Sequence, residues 1–497
     1  MIKGFVKDTL KYLPPLIASS IVGLITIPII TREFPAKDYG YYSLVIATIG
    51  ILSLMFAWIT DSIYRFYPAY ERDGKAGKFY SDVIRLSTFT IAVIVLVLGA
   101  FLFFIKSHID SRLMAIMLVG IMMFVTTSIF STLLDFLRSR RQVSLYSRFF
   151  VWKTIAGLIF GLSMVFIFKS GIQGMLWGVT IAMLIGLPWL WKMALGGLPY
   201  EHSRTDLSLA RNMAAYGIPL VIGNLFAWII NLSDRYVLEI FRGASEVGIY
   251  SASYNIALQV ISLIITSFML ASSPIVMHVW EKEGEARTKE FVVSVTRYYL
   301  LVGIPAVVGL SVLSKPIVTI MAGHQYLNGY KVIPFVALGV FILGLQQRYH
   351  IGFLLHKRTG FITLMIVLSG LSNLGLNLLL IPKYGYMAAA ITTLVSYSLL
   401  LLLMKYISRR FFTWKFPTRS LINSLLASLC MGLLAYFIGT NTFMPGLLGV
   451  SLAVLLGVLV YCLIILLLGE LQLAEKQALK QIINKYFHKL KTKISEN

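Results

Sequence analysis

Tyr12-Leu13-Pro14-Pro15-Leu16-Ile17 opens an apolar stretch that ends in Asp38-Tyr39-Gly40-Tyr41-Tyr42-Ser43-Leu44. About two hundred residues later, Tyr216-Gly217-Ile218-Pro219-Leu220-Val221 opens another, ending in Glu246-Val247-Gly248-Ile249-Tyr250-Ser251-Ala252. A second pair agrees: Gly161 followed by Lys169-Ser170-Gly171, and Gly375 followed by Lys383-Tyr384-Gly385. One pattern written twice in an apolar chain implies two halves related by pseudo-symmetry. That is the build of a transporter whose halves rock about a shared centre.

Composition fixes the solvent. The 497 residues are 58% hydrophobic and only 13% charged, with a mean hydropathy of +0.81, whereas soluble domains are about one quarter charged. Apolar runs long enough to cross a bilayer recur from end to end. Barrel strands would be shorter and would alternate polar with apolar. The expected fold is therefore an all-α polytopic membrane protein of about fourteen transmembrane helices. In the first half the candidate spans are 11–30, 41–63, 86–105, 113–136, 151–168 and 172–195. In the second they are 214–233, 249–272, 298–313, 332–355, 361–381 and 386–407, followed by 420–438 and 446–468. Residues 1–200 and 201–408 are expected to form two six-span halves, with 409–470 adding two further helices. Six spans per repeat keep both copies in one orientation, so the pseudo-axis runs along the membrane normal.

The formal charge of +23 resides in short loops and follows topology rather than a nucleic-acid surface, and no nucleic-acid partner is expected. With the N-terminus cytoplasmic, roughly 32 basic residues fall on the cytoplasmic side and roughly 10 opposite. The clusters Arg138-Ser139-Arg140-Arg141, Lys357-Arg358 and Arg409-Arg410 all lie inside. Both termini are expected in the cytoplasm, with the protein in the cytoplasmic (inner) membrane. No cleavable signal is evident at the start. The tail 471–497 spaces Leu479, Ile482, Ile483, Tyr486, Phe487 and Leu490 helically among lysines, as in a basic helix lying on the inner leaflet; a solvated tail is the alternative.

Polar residues inside apolar spans are costly and point to function. Span 332–355 carries Gln346-Gln347-Arg348-Tyr349-His350. Arg348 is about 13 Å along the helix from Lys357, too deep for easy snorkelling. It either lines a watery cavity or forms a structural tie. His350 titrates near neutral pH and is a candidate for proton coupling, or else a hydrogen-bonded filler. Asn224, Asn231 and Arg235 share one face of their helix, and Ser251, Asn255 and Gln259 form a polar line on the next. Asn373 and Asn377 are four apart. These amides either line the cavity or glue helices together. Lys153 sits about one turn inside its span, within snorkelling reach of the interface. Asp61 with Arg65 and Asp135 with Arg138 read as interfacial ion pairs.

Other chemistry is missing. The sequence holds no phosphate-binding glycine loop and no metal-ligand spacing, and Cys430 and Cys462 lie singly in apolar spans. No cofactor, metal or catalytic residue is expected. No outer loop carries paired carboxylates or is large enough to hold an acceptor sugar, which argues against a membrane glycosyltransferase or polymerase.

Three stretches carry a family resemblance: IPIITREFPAKDYGYYSL (Ile27–Leu44), INLSDRYVLEIFRGASEVGIYSASYNIA (Ile230–Ala257) and SNLGLNLLLIPKYGYMAAAITTLVSY (Ser372–Tyr397). Together they resemble the polysaccharide transporters, the O-antigen and capsule repeat-unit flippases of the multidrug/oligosaccharidyl-lipid/polysaccharide exporter superfamily. The resemblance implies two six-helix lobes in a V, a cationic cavity, and movement of a polyprenyl-diphosphate-linked oligosaccharide from the inner to the outer leaflet. Other polysaccharide assembly proteins would be its partners, with membrane lipids around it. In that role Arg348 and Arg235 neutralise phosphates, while the amides and tyrosines meet sugar hydroxyls. A cation-coupled drug exporter of the same superfamily is the alternative; it calls for a more apolar cavity with a membrane-embedded acid.

Overall fold

A computed structural model describes residues 13–196, 206–439, 446–470 and 475. The 471–497 tail reading and the loop at Asn441 fall almost wholly outside these residues. Every regular element among the described residues is helical. The first lobe comprises α1 (Leu13–Glu33), α2 (Ala36–Arg72), α3 (Ala76–Ile105), α4 (Ser111–Ser139), α5 (Val143–Phe166) and α6 (Gly174–Leu195). The second comprises α7 (Leu207–Arg242), α8 (Ala244–Val312), a short α9 (Ser314–Met321), a 3-10 segment (His324–Val332), α10 (Ile333–Leu355) and α11 (Thr359–Ser408). Beyond them lie α12 (Thr418–Gly439) and α13 (Leu447–Leu467).

Twelve described helices are long and apolar enough to span a bilayer. Two of them hold two spans each. The 69-residue α8 breaks at Gly284 (φ 80°) and the 50-residue α11 at Gly385 (φ 58°), so the chain crosses about fourteen times. The sequence placed loops at both breaks. At the first, a helical ladder of ion pairs carries α8 beyond the apolar stretch: Glu283–Arg287 at 3.4 Å, Arg287–Glu290 at 2.6 Å and Glu285–Lys289 at 2.7 Å. At the second, one left-handed glycine turns the chain without a loop.

The repeat is visible in the backbone. Left-handed residues recur at matching places: Gly74 with Gly284, Arg141 with Lys357, and Gly171 with Gly385. Arg141 and Lys357, at φ 58° and 56°, close the corresponding helices α4 and α10. Side-chain caps start other helices. The Asp110 carboxylate accepts from the Arg112 amide at 2.8 Å, and Asp206 accepts from the amides of Ser208 and Leu209 at 2.9 and 3.3 Å.

Within the first lobe α2 packs on α4, α4 on α6 and α5 on α6; within the second, α7 packs on α11 and α8 on α10. The lobes meet through α2 against α7 and α8, and α1 against α8. Helices α12 and α13 pair with each other and attach to α8. Tyr461 donates to the Leu301 carbonyl at 2.7 Å, and Ser424 to that of Leu300 at 3.3 Å. The strongest tie is Arg297, whose guanidinium binds Glu470 at 3.0 Å and Glu475 at 2.6 Å while Ser420 and Asn423 also donate to Glu470.

Candidate functional site

The two copies of the opening motif meet each other. Ala36 and Gly40 lie in the first turns of α2, and Ala244 and Gly248 in those of α8. A Cβ at Gly40 would sit 1.9 Å from the Ala244 carbonyl oxygen, and a Cβ at Gly248 would sit 1.9 Å from that of Ala36. The contact is reciprocal, as a pseudo-two-fold axis requires, and only glycine permits it. It draws the ends of the two lobes into backbone contact at one membrane face, the small-residue packing used where helices approach most closely.

Other groups close the same face. Tyr326 of the 3-10 segment donates to the Phe34 carbonyl at 3.0 Å, the Ala36 amide donates to Gln325 at 3.3 Å, and Arg32 donates to the Ile320 carbonyl at 2.6 Å. The start of α2 is braced by Lys37–Asp110 at 2.9 Å and Asp38–Arg112 at 3.3 Å. The Lys37 ammonium and the Arg112 amide hold the Asp110 carboxyl down at about 2. In the second lobe Arg242 binds Glu246 at 2.9 Å, and Glu246 accepts from the Tyr386 amide at 3.1 Å, pinning the break in α11.

Beneath this seam the lobes face each other through amides and phenols. Asn255 of α8 donates to the Tyr39 hydroxyl of α2 at 3.3 Å, and Thr48 of α2 shares a 2.7 Å hydrogen bond with Tyr236 of α7. Gln259 lies against Gly23 of α1, where a Cβ would come 2.5 Å from its amide nitrogen. Tyr39 stacks on Tyr42, Trp228 packs on Tyr236, and Asn224 is exposed. Toward the far face Ser62 donates to the Met213 carbonyl at 3.1 Å, and Gly217 abuts the Trp58 backbone. Thr48 and the aromatic residues Tyr39, Trp228 and Tyr236 were not singled out in the sequence, where a lone hydroxyl or aromatic ring inside a span is indistinguishable from packing.

The remaining sequence candidates are gathered inside the second lobe. Arg235, buried, donates to the Asn231 carbonyl at 2.9 Å and lies 5.0 Å from the Tyr254 ring. It also meets Asp234 at 3.4 Å, a fully buried carboxylate that accepts from Tyr250. Asn231 accepts from Tyr397 at 2.5 Å. Asn377 donates to Asn373 at 3.0 Å and accepts from Thr392, while Asn373 donates to Ser396 at 3.1 Å. Asn373 and Asn377 are wholly buried and join the two halves of α11, the arrangement of amides that tie helices together.

Arg348 is 2% exposed and lies within the lobe. Its Nη1 donates to Ser272 at 3.0 Å, and its guanidinium stands 5.6 Å from the Tyr299 ring. Its Nε and Nη2 meet no acceptor among the described residues, nor does Gln346 Oε1 meet a donor. Gln347 and His350 pair with each other at 3.1 Å and are half-buried. Lys153 lies in the middle part of its helix. Helix α5 begins at Val143, which puts Lys153 about 15 Å along it, over the Phe150 ring at 4.8 Å. No group of three His, Cys, Asp or Glu among the described residues is arranged to hold a metal ion.

The profile of the polysaccharide biosynthesis protein family matches residues 5–280. The chain belongs to that family. It is 22% identical over 420 residues to an uncharacterized membrane protein of Methanocaldococcus jannaschii, covering 80% of this chain and 81% of that one. It is 25% identical over 301 residues to a probable low-salt glycan biosynthesis flippase of Haloferax volcanii, covering 59% and 61%. Among solved structures it is similar to the lipid II flippase MurJ in an inward closed conformation, with TM-score 0.76, 16% identity and coverage of 92% and 97%. An inward-facing multidrug transporter of the MATE family gives TM-score 0.62 at 12% identity, covering 81% and 94%. This family member is thus a multi-pass membrane protein with the fold shared by MurJ and the MATE transporters.

Proposed function

We propose that the protein is a flippase for polyprenyl-diphosphate-linked oligosaccharide repeat units, carrying them from the inner to the outer leaflet of the cytoplasmic membrane for cell-surface polysaccharide assembly. The observation that carries this reading is the chemistry of the inter-lobe face. Asn224, Asn255, Gln259, Tyr39 and Thr48 offer donors and acceptors suited to sugar hydroxyls. An exporter of apolar drugs has no use for that lining. The flippase names of the Haloferax relative and of MurJ support the same reading.

In this mechanism the seam at Gly40 and Gly248 seals the outer face while the glycan enters from the cytoplasm. The lobes then part at the seam and close at the inner ends of α2 and α7. The prenyl tail stays in lipid throughout. Arg348 is the phosphate partner, its two unfilled nitrogens supplying uncompensated positive charge inside the lobe, while Arg235 is held by Asp234 and the Asn231 carbonyl. Surface glycan in a strain lacking its own flippase tests the reading. Asn255→Leu with Gln259→Leu should lower delivered glycan at least tenfold at equal protein level, about 1 kcal/mol for each hydrogen bond lost. Undiminished glycan in the double variant would remove the inter-lobe amides from the pathway.

A further inference from the structure

A cleft of about 420 Å³ opens beside α3, away from the inter-lobe face, lined by Ser87, Ile91 and Val95 of α3, Ile129 of α4 and Trp191 of α6. It exists because α3 packs chiefly on α2 and α4 and leaves α6 uncovered on that side. Polarity is graded along the helices that wall it. Arg85, 3.6 Å from Asp82, stands where the apolar stretch of α3 begins, and exposed Lys192 follows Trp191 in the last turn of α6. Deeper by roughly 3 Å comes Ser87, and by roughly 15 Å Val95. Ser87 is 4% exposed, and its hydroxyl has no partner among the described residues. A serine inside a helix normally donates to the carbonyl one turn back, as Thr88 does to Ile84 at 2.9 Å. Ser87 instead leaves a buried donor on the cleft wall, a cost that an acceptor in the cleft would remove.

We propose that this cleft binds one anionic phospholipid of the leaflet that α3 enters at its N-terminal end. The phosphate lies at Arg85 and Lys192, a glycerol-linked oxygen accepts from Ser87, and one chain fills the apolar floor. The order of cation, hydroxyl and apolar wall matches the order of phosphate, glycerol linkage and chain. Below its phosphoester oxygen a prenyl phosphate carries only hydrocarbon, whereas a glycerolipid adds the stronger carbonyl acceptors of its ester linkages, so the unpaired hydroxyl favours a glycerolipid. Trp191, in T-shaped contact with Tyr80 at 6.1 Å, marks the interfacial depth. The lipid completes the first lobe by bridging α3 to α6 and is not itself transported.

Native mass spectrometry of the full chain, delipidated in detergent and titrated with phosphatidylglycerol, tests this. The wild type should retain one lipid tightly. Ala92 also lines the cleft, and Ala92→Phe, which puts a ring into its apolar part, should abolish that binding, while Ser87→Ala should weaken it roughly fivefold. Leu96→Phe, on the lipid-facing side of α3 at 71% exposure, should leave it unchanged. If Ala92→Phe does not fold, Ser87→Ala decides. Wild-type affinity in Ser87→Ala, an undiminished lipid count in Ala92→Phe, or displacement of phosphatidylglycerol by equimolar undecaprenyl phosphate would each overturn the proposal.

Discussion

The reciprocal contact between the two repeats gives a quantitative handle on gating. At Gly40 an added Cβ would stand 1.9 Å from the Ala244 oxygen and 2.8 Å from its carbonyl carbon. An ordinary carbon–oxygen contact is about 3.3 Å, so Gly40→Ala forces α2 and α8 apart by about 1.4 Å. Neither obstructing atom belongs to a flexible side chain; both are helix backbone. Overpacking of this kind costs about 1–3 kcal/mol, and only the state with the seam closed bears the cost. The outward-open population should rise five- to 150-fold. A single cysteine at Thr48, two turns below Gly40, reports the change in a background lacking Cys430 and Cys462. Its labelling by an impermeant maleimide from outside should accelerate by that factor. Gly248→Ala should behave alike, and the double variant should add little, because one separation relieves both contacts. Unchanged labelling in both single variants, at normal protein level, would refute the claim that this seam is the outer gate.

Other outcomes follow from the same geometry. Cysteines at Ser170 and Tyr384 should react with impermeant reagent from outside and those at Ser139 and Thr359 should not; labelling of Ser139→Cys from outside would invert the topology. Arg348→Met should raise the thermal midpoint, since about 1–3 kcal/mol is recovered for each unfilled buried donor removed, yet abolish glycan delivery; normal delivery would make Arg348 a structural residue. Arg297→Ala strands two carboxylates that Arg297 holds at 2.6–3.0 Å and should cost about 3–5 kcal/mol, read as a lower unfolding midpoint; a midpoint within a degree of wild type would contradict that. The depressed Asp110 carboxyl makes the Lys37 brace fully present above 3.8 and lost as pH falls toward about 2. Thr48→Cys labelling, normalised to an exposed control cysteine because the reactive thiolate fraction itself falls with pH, should therefore be flat from about pH 7 to about pH 5, while Asp110→Asn should raise it at neutral pH; a rise within that window would point to another group.

The membrane class, the number of crossings and the repeat were legible because each leaves a long or duplicated signature. The motif around Gly40 and Gly248 was legible as a repeat but not as a contact, since one sequence does not reveal that two copies touch. The helical extensions that meet at the Gly284 break were hidden because their charges read as a solvated loop, whereas their three- and four-residue spacing sustains helix in water. Asn373 and Asn377 illustrate the limit at the candidate site. Their spacing places them on one helix face, but whether that face meets a cavity or Thr392 and Ser396 depends on residues across a turn of the chain. The clamp of Arg297 on Glu470 and Glu475 spans more than 170 residues and has no local signal at all.

Transbilayer movement of the substrate tests the central claim most directly. The protein, reconstituted into liposomes with a fluorescent polyprenyl-diphosphate oligosaccharide, should let externally added reductant or glycan-modifying enzyme reach the whole labelled pool rather than the outer half alone. Crosslinking Lys37→Cys to Ser245→Cys across the outer seam should halt that exchange, and reduction should restore it. Exchange that is equally fast in protein-free liposomes, or that persists undiminished with the seam crosslinked, would contradict the account.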